Sequence, residues 1–195
     1  MSSRGATGVV SVSVPVGILF ALLLAALSGC GGDDARGAYE QQLQVCSVAE
    51  GNGLLDDAAR ACGAALAIAD GNGYDADVVA SLLYRVGRRE RQRGNFVTAE
   101  SHLRRALAMA EAAGDTRAVP VRMVELAQIL AGQDLWLDGF QLLDRAAPLL
   151  HALDAEERRA ARNVFRGFSI RLGMLGHSAE AERCEAVAAE LTAAP

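Results

Sequence analysis

Glycine-bearing breaks recur along this chain, the first four about twenty residues apart, and they constrain its fold more than any other feature. They fall at Gly51-Asn52-Gly53, Gly71-Asn72-Gly73, Gly94-Asn95, Gly114-Asp115 and Gly176. Glycine just past a helix end accepts the left-handed conformation that stops a helix. The stretches between breaks are dominated by Ala, Leu, Arg, Glu and Gln, all strong helix formers. Apolar residues recur three and four apart within them, as in Leu82, Leu83, Val86 and Gly87, or Leu103, Ala106, Leu107 and Ala110. That period gives each helix one face to bury. Aromatics are only 5% of the chain, and β-branched residues are few after the first thirty positions, which argues against an all-β fold. The pattern predicts an all-α protein of helices joined by tight turns.

The helices come in pairs on a common frame. In the segment Leu83 to Met109, small residues stand at Gly87, Ala99 and Ala106, with Gly94 in the turn and Phe96 just behind it. Forty-one residues earlier the same three positions hold Cys46, Ala58 and Ala65, with Gly53 in the turn. Forty later they hold Ala127, Gly139 and Ala146, with Trp136 where Phe96 stood, and forty-two beyond that Ser169, Ala181 and Ala188, with Gly176 in the turn. Small residues suit points where two helices cross closely. Each pair has an apolar face it cannot bury alone, so stacked neighbours must share one continuous core.

This frame resembles the tetratricopeptide repeat (TPR), a helix–turn–helix unit with small residues at those three positions. The resemblance covers roughly residues 39–191. The repeats here are about six to eight residues longer than the family's 34, and the family's closing proline is missing. An extended second helix, as in Ala106 to Ala113, accounts for the extra length. The resemblance implies a right-handed α-solenoid of about four TPR-like repeats, with a concave face lined by the first helix of each pair. It further implies a scaffold or adaptor that is not an enzyme and binds a protein or peptide in that concavity.

Residues 1–29 read as an address. Arg4 is the only charged side chain before Asp33, and an apolar run from Val9 to Leu27 precedes Ser28-Gly29-Cys30. A basic start, an apolar run and small residues before a cleavage point describe a secretory signal peptide. Leu27-Ser28-Gly29-Cys30 resembles a bacterial lipobox, which implies cleavage before Cys30 and acylation of its sulfur and new amino group. An uncleaved membrane anchor is the alternative for the same run. More than one acyl chain would hold the protein stably to a membrane. Gly31 rather than Asp after Cys30 resembles the signal for outer-membrane sorting, facing the periplasm of the bacterial cell envelope. Residues 30–38 read as the lipidated Cys and a flexible tether, and 39–195 as the repeat domain.

In the repeat frame, the concave positions are Leu43, Ser47 and Glu50 in the first repeat and Tyr84, Arg88 and Arg91 in the second. The third contributes Val124 and Gln128, and the fourth Asn163 and Arg166. An Arg fork beside Tyr and Asn suits a carboxylate or an extended peptide backbone. The candidate partner-binding residues are therefore Tyr84, Arg88, Arg91, Gln128, Asn163 and Arg166. The run Arg85, Arg88, Arg89, Arg91 and Arg93 also reads as a solvated helix face, and Arg158 and Arg159 as surface partners of Asp154 and Glu156.

With Cys30 assigned to lipid, Cys46, Cys62 and Cys184 remain. Cys46 and Cys62 either bridge, closing a loop worth about 3 kcal/mol, or stay as two buried thiols acting as small hydrophobes. Cys184 reads as buried. His102, His151 and His177 stand far apart, and Asp70 to Asp75 lacks the later ligands of a calcium loop, so no metal is expected. No nucleophile elbow, phosphate loop or cofactor motif is present. Nineteen basic residues, all Arg, against 24 acidic ones give a net charge of −5, which argues against nucleic acid as a partner. A small-molecule sensor or enzyme accessory with a pocket between helices is the alternative function.

Overall fold

The computed structural model describes residues 31–193, and every structural statement concerns these. The chain divides at Gly37 into two compact units. Of the first, only residues 31–37 are described, and they are helical. The expected tether is therefore helix over these positions. Ala35 and Arg36 are good helix formers. Residues 1–30, with the expected signal peptide and Cys30, lie outside the described residues.

Eight α-helices follow one another: α1 (Gly31–Gly51), α2 (Leu55–Gly71), α3 (Ala76–Gln92), α4 (Phe96–Ala113), α5 (Ala118–Gly132), α6 (Trp136–Ala146), α7 (Ala155–Met174) and α8 (Ser178–Ala193). No strand occurs among the described residues, and none of their helices is long and apolar enough to cross a membrane. The second unit, Ala38–Pro195, carries the pairs α1/α2, α3/α4, α5/α6 and α7/α8, the four repeats of the sequence frame. The turns inside three pairs use Gly53, Gly94 and Gly176 at positive φ. In the third pair Asp134 takes that role at φ 61°, a conformation Asp visits more readily than most residues.

Helix crossings explain the small residues. A side chain on Gly87 would stand 1.7 Å from Leu103 Cδ2, and one on Gly139 would stand 2.8 Å from the Phe168 ring and 3.0 Å from the Ala127 carbonyl. Of the twelve frame positions, all but Ser169 are buried. The core falls into two clusters. One joins the first two repeats through Cys46, Cys62, Ala65, Leu66, Leu82 and Leu83, and a larger one joins the second to fourth through Leu103, Leu126, Leu143, Phe165 and Phe168. Pro148 shortens the second helix of the third repeat, α6. It lacks the N–H that would continue α6, so the chain passes into a 3₁₀ turn over Ala147–Ala152 instead of the extended helix expected there. Asp154 then caps α7, accepting from the Glu157 N–H at 2.9 Å while Glu157 reaches back to the Asp154 N–H, a reciprocal capping box.

Neighbouring second helices are linked by a repeated ion pair. Arg105 on α4 pairs with Asp70 on α2, Arg145 on α6 with Glu111 on α4, and Arg183 on α8 with Asp144 on α6, at 2.5, 3.1 and 3.0 Å. The acid always belongs to the earlier repeat. These pairs are exposed, so each contributes little stability; their regularity matters more than their strength.

Candidate functional site

Helices α3, α5 and α7, the first helices of the last three repeats, form the two walls and the floor of a groove. Two contiguous hollows of about 480 and 790 Å³ share Arg88, Glu125, Gln128, Ala160 and Val164. The floor is α5, presenting Val121, Val124, Glu125, Gln128 and Ala131 at helical spacing. Phe96, Trp136 and Phe168 form an aromatic end; the Trp136 and Phe168 rings meet edge to face at 5.1 Å. Asp154, Glu156 and Glu157 form an acidic end at the start of α7.

The structure brings Tyr84, Arg88, Arg91, Gln128 and Asn163 together along this groove. Arg166 is not among its walls. It occupies the frame position of Tyr84, and among the described residues no following repeat completes a groove beside it. Val124 is on the floor but buried. In the first repeat, Ser47 and Glu50 are taken up by Arg85, at 3.0 and 2.7 Å.

The arginine run is neither a free clamp nor a solvated face. Arg85 and Arg89 both donate to Glu50 on α1, at 2.7 and 3.0 Å. Arg91 donates through Nε to Glu125 Oε1 at 2.5 Å, and Arg88 Nε lies 3.8 Å from Glu125 Oε2. Arg93 bonds Asp56 and Glu90. Each pairs with an acid on another helix or turn because repeats of this length stack like positions side by side. Arg88 keeps the most freedom: its guanidinium sits 5.5 Å over the Tyr84 ring, and its side chain is 40% exposed. Burial pushes the Tyr84 phenol up, against the opposing influence of the Arg88 charge. Burial alone would raise the Glu50 carboxyl, but the Arg85 and Arg89 hydrogen bonds outweigh it and hold it below its ordinary value.

Sequence reasoning missed Glu125. Its signal was available: a lone acid inside the apolar run Met123-Val124-Glu125-Leu126-Ala127, thirty-four residues after Arg91. A buried carboxylate needs a partner, and the arginine-rich first helix of the preceding repeat supplies candidates. Asp154 also differs from expectation, since Arg117 takes it at 2.6 Å while Arg158 donates to the Leu153 carbonyl at 2.8 Å.

Cys46 and Cys62 are joined by a disulfide with Cα atoms 4.9 Å apart, tying α1 to α2. With Glu50 they are the group of possible metal ligands among the described residues, but the sulfurs are spent on each other and the carboxylate on two arginines. Such a donor set does not fit a cation.

No protein-family model matches the sequence, and no curated protein does. Solved structures share the fold. BtubC (BKLC) from P. vanneervenii aligns over 76% of this chain with TM-score 0.65 and 20% identity, and the chain spans only 60% of that protein's length. A putative kinesin light chain of Podosopora anserina with nearly identical TPR-like repeats aligns over 80% of this chain and 75% of its own, with TM-score 0.61 and 15% identity. A single-substitution variant of that protein aligns over 91% and 85%, with TM-score 0.62 and 14% identity. The fold is that of TPR-like repeat proteins, an architecture that suits protein–protein interaction.

Proposed function

We propose that this chain is a lipid-anchored scaffold of the bacterial cell envelope that holds a segment of a partner protein in the α3–α5–α7 groove. One observation carries the reading: the groove is built from three successive first helices and combines an apolar floor with preset polar groups. Aromatic and aliphatic side chains on its walls supply contact area, while Gln128 and Asn163, on facing helices, can each both donate to and accept from a peptide backbone. Ligand sites commonly take this form, mostly apolar with a few fixed polar groups. The Leu27-Ser28-Gly29-Cys30 motif supports anchoring through Cys30, with the outer membrane facing the periplasm as the destination. The Cys46–Cys62 bond suits such an oxidising compartment.

Photo-cross-linking tests the groove. A cross-linking side chain at Gln128 or Asn163 should capture one defined envelope protein, and the same group at Arg104, exposed on α4, should not. Equal capture from both faces, or none from either, would remove the groove from the account. Incorporation of labelled palmitate that disappears in Cys30→Ala tests the anchor separately.

A further inference from the structure

A repeat array needs ends that differ from its middle, because each repeat offers its neighbour an apolar face that the last one leaves bare. Among the described residues, α8 carries polar residues at two positions that are apolar in the earlier second helices. Phe96 and Trp136 share one frame position, which on α8 is Ser178. Buried Leu103 and Leu143 share another, which on α8 is the exposed Glu185.

The N-terminal end is unfinished. Val86, Leu126 and Phe168 occupy the frame position of Val45 and are 4%, 0% and 2% exposed, whereas Val45 is 46% exposed. Ile129 is fully buried at the frame position of Val48, which is 57% exposed. With Leu54 these residues wall an unfilled hollow of about 400 Å³ along α1 and α2, rimmed by Gln44, Asp57 and Arg60.

We propose that this edge takes the same edge of a second copy in a two-fold dimer. The charges favour that occupant. The rim carries one acid and one base, Asp57 and Arg60, three residues apart and both more than half exposed. A two-fold contact makes residue i of one copy meet residue j of the other and the reverse, so each Asp57 can exchange its own Arg60 for the other copy's. The opposite end of the array is a poor occupant. It would bring the carboxylates of Glu182 and Glu185 against valines, and its exposed Ile170 stands one turn from Arg166. A two-fold contact uses the edge of each copy once, so association through it stops at two. The Cys46–Cys62 bond lies directly behind the surface and fixes α1 to α2, so the edge needs no ordering on contact. The 17 residues of α2 make an edge about 25 Å long. Two such edges bury about 1,000 Å² in total, at the low end of specific interfaces.

Light scattering on the full chain in detergent, over about 1 to 100 µM, tests this. The expected result is a monomer that becomes a dimer as concentration rises. Val48→Arg should raise the dissociation constant at least tenfold with unchanged helical content. Asp57→Arg and Arg60→Asp should each weaken the dimer, and the double exchange should restore it, because the reciprocal pairs re-form. Ile170→Arg, at the other end, should change nothing. A monomer throughout, assembly beyond two, or an Ile170→Arg effect equal to that of Val48→Arg would overturn the proposal.

Discussion

Arg91 reaches from α3 to the buried carboxylate of Glu125 on α5, at 2.5 Å, so one of the groove's cations also pins two repeats together. Arg88, one turn earlier, shares that carboxylate only loosely, at 3.8 Å. The two arginines should therefore separate on substitution. Arg91→Ala and Glu125→Ala each break a largely buried pair and should cost about 2 kcal/mol, visible as a lower melting temperature. Arg88→Ala should change stability by less than about 0.5 kcal/mol while weakening capture of the partner. Equal melting shifts for the two arginine variants would contradict this division of labour.

Gly139→Ala should destabilise despite the better helix propensity of alanine. The added methyl would stand 2.8 Å from the Phe168 ring and 3.0 Å from the Ala127 carbonyl, and the carbonyl cannot move without shifting α5. Overpacking of this kind costs about 1–3 kcal/mol. Gly63→Ala, whose methyl meets nothing within 4 Å, is the control and should be neutral or stabilising. Denaturant unfolding of the two variants settles the comparison.

Acid should loosen the first junction. The Glu50 carboxyl titrates below its ordinary value of 4.5, because hydrogen bonds from Arg85 and Arg89 overcome the opposing effect of burial. A carboxyl depressed in the folded state contributes stability that is complete above its unfolded value and is lost as pH falls through the folded one. Melting temperature should thus hold from neutral pH down to the ordinary carboxylate range and fall below it. Glu50→Gln should start lower at neutral pH and fall less steeply; a parallel acid limb in that variant would exclude Glu50 as a contributor.

Reducing the Cys46–Cys62 bond, or replacing both residues by Ala, should lower stability by about 3 kcal/mol, the chain-entropy value for a loop of this size. The loss should appear first in the initial repeat, since hydrogen exchange follows local stability and the disulfide lies between α1 and α2. Uniform loss of protection across all four repeats would mean that the array unfolds as one unit.

Cys184 should resist alkylation in the folded protein. Burial, with help from the Asp144 charge, pushes its thiol up to about 12, so little thiolate exists near pH 8. Mass spectrometry should find it unlabelled by iodoacetamide until denaturant is added.

The helix pairs and their crossings were legible in the sequence because they depend on local signals: turn glycines, a helical apolar period and small residues at fixed intervals. Gly87 and Gly139 show this well, since a side chain at either would run into a neighbouring helix. Asp134 was harder to read, because an acidic residue carries no clear sign that it will adopt a glycine's conformation. The third repeat departs from the extended second helix for a different reason: Pro148 turns the chain after α6 into a 3₁₀ turn. At the site, five of the six candidate residues lie together because helical spacing fixes which side of a helix faces the groove. What the spacing could not give was pairing. Arg91 and Glu125 are thirty-four residues apart, and only stacking makes them neighbours.

The three acid-to-arginine links between second helices act as an elastic strip along one side of the array. Each lies at the surface, so its stiffness depends on the surrounding electrolyte. Near physiological salt the screening length is about 8 Å, and in 1 M salt it shrinks to about 3 Å. Concentrated salt therefore slackens the strip while leaving each helix intact. Because the groove is built from the first helices and the strip joins the second ones, such slackening changes how far the repeats can splay around a guest. Ionic strength becomes a mechanical setting for the opening of the groove as well as a competitor for charged contacts within it.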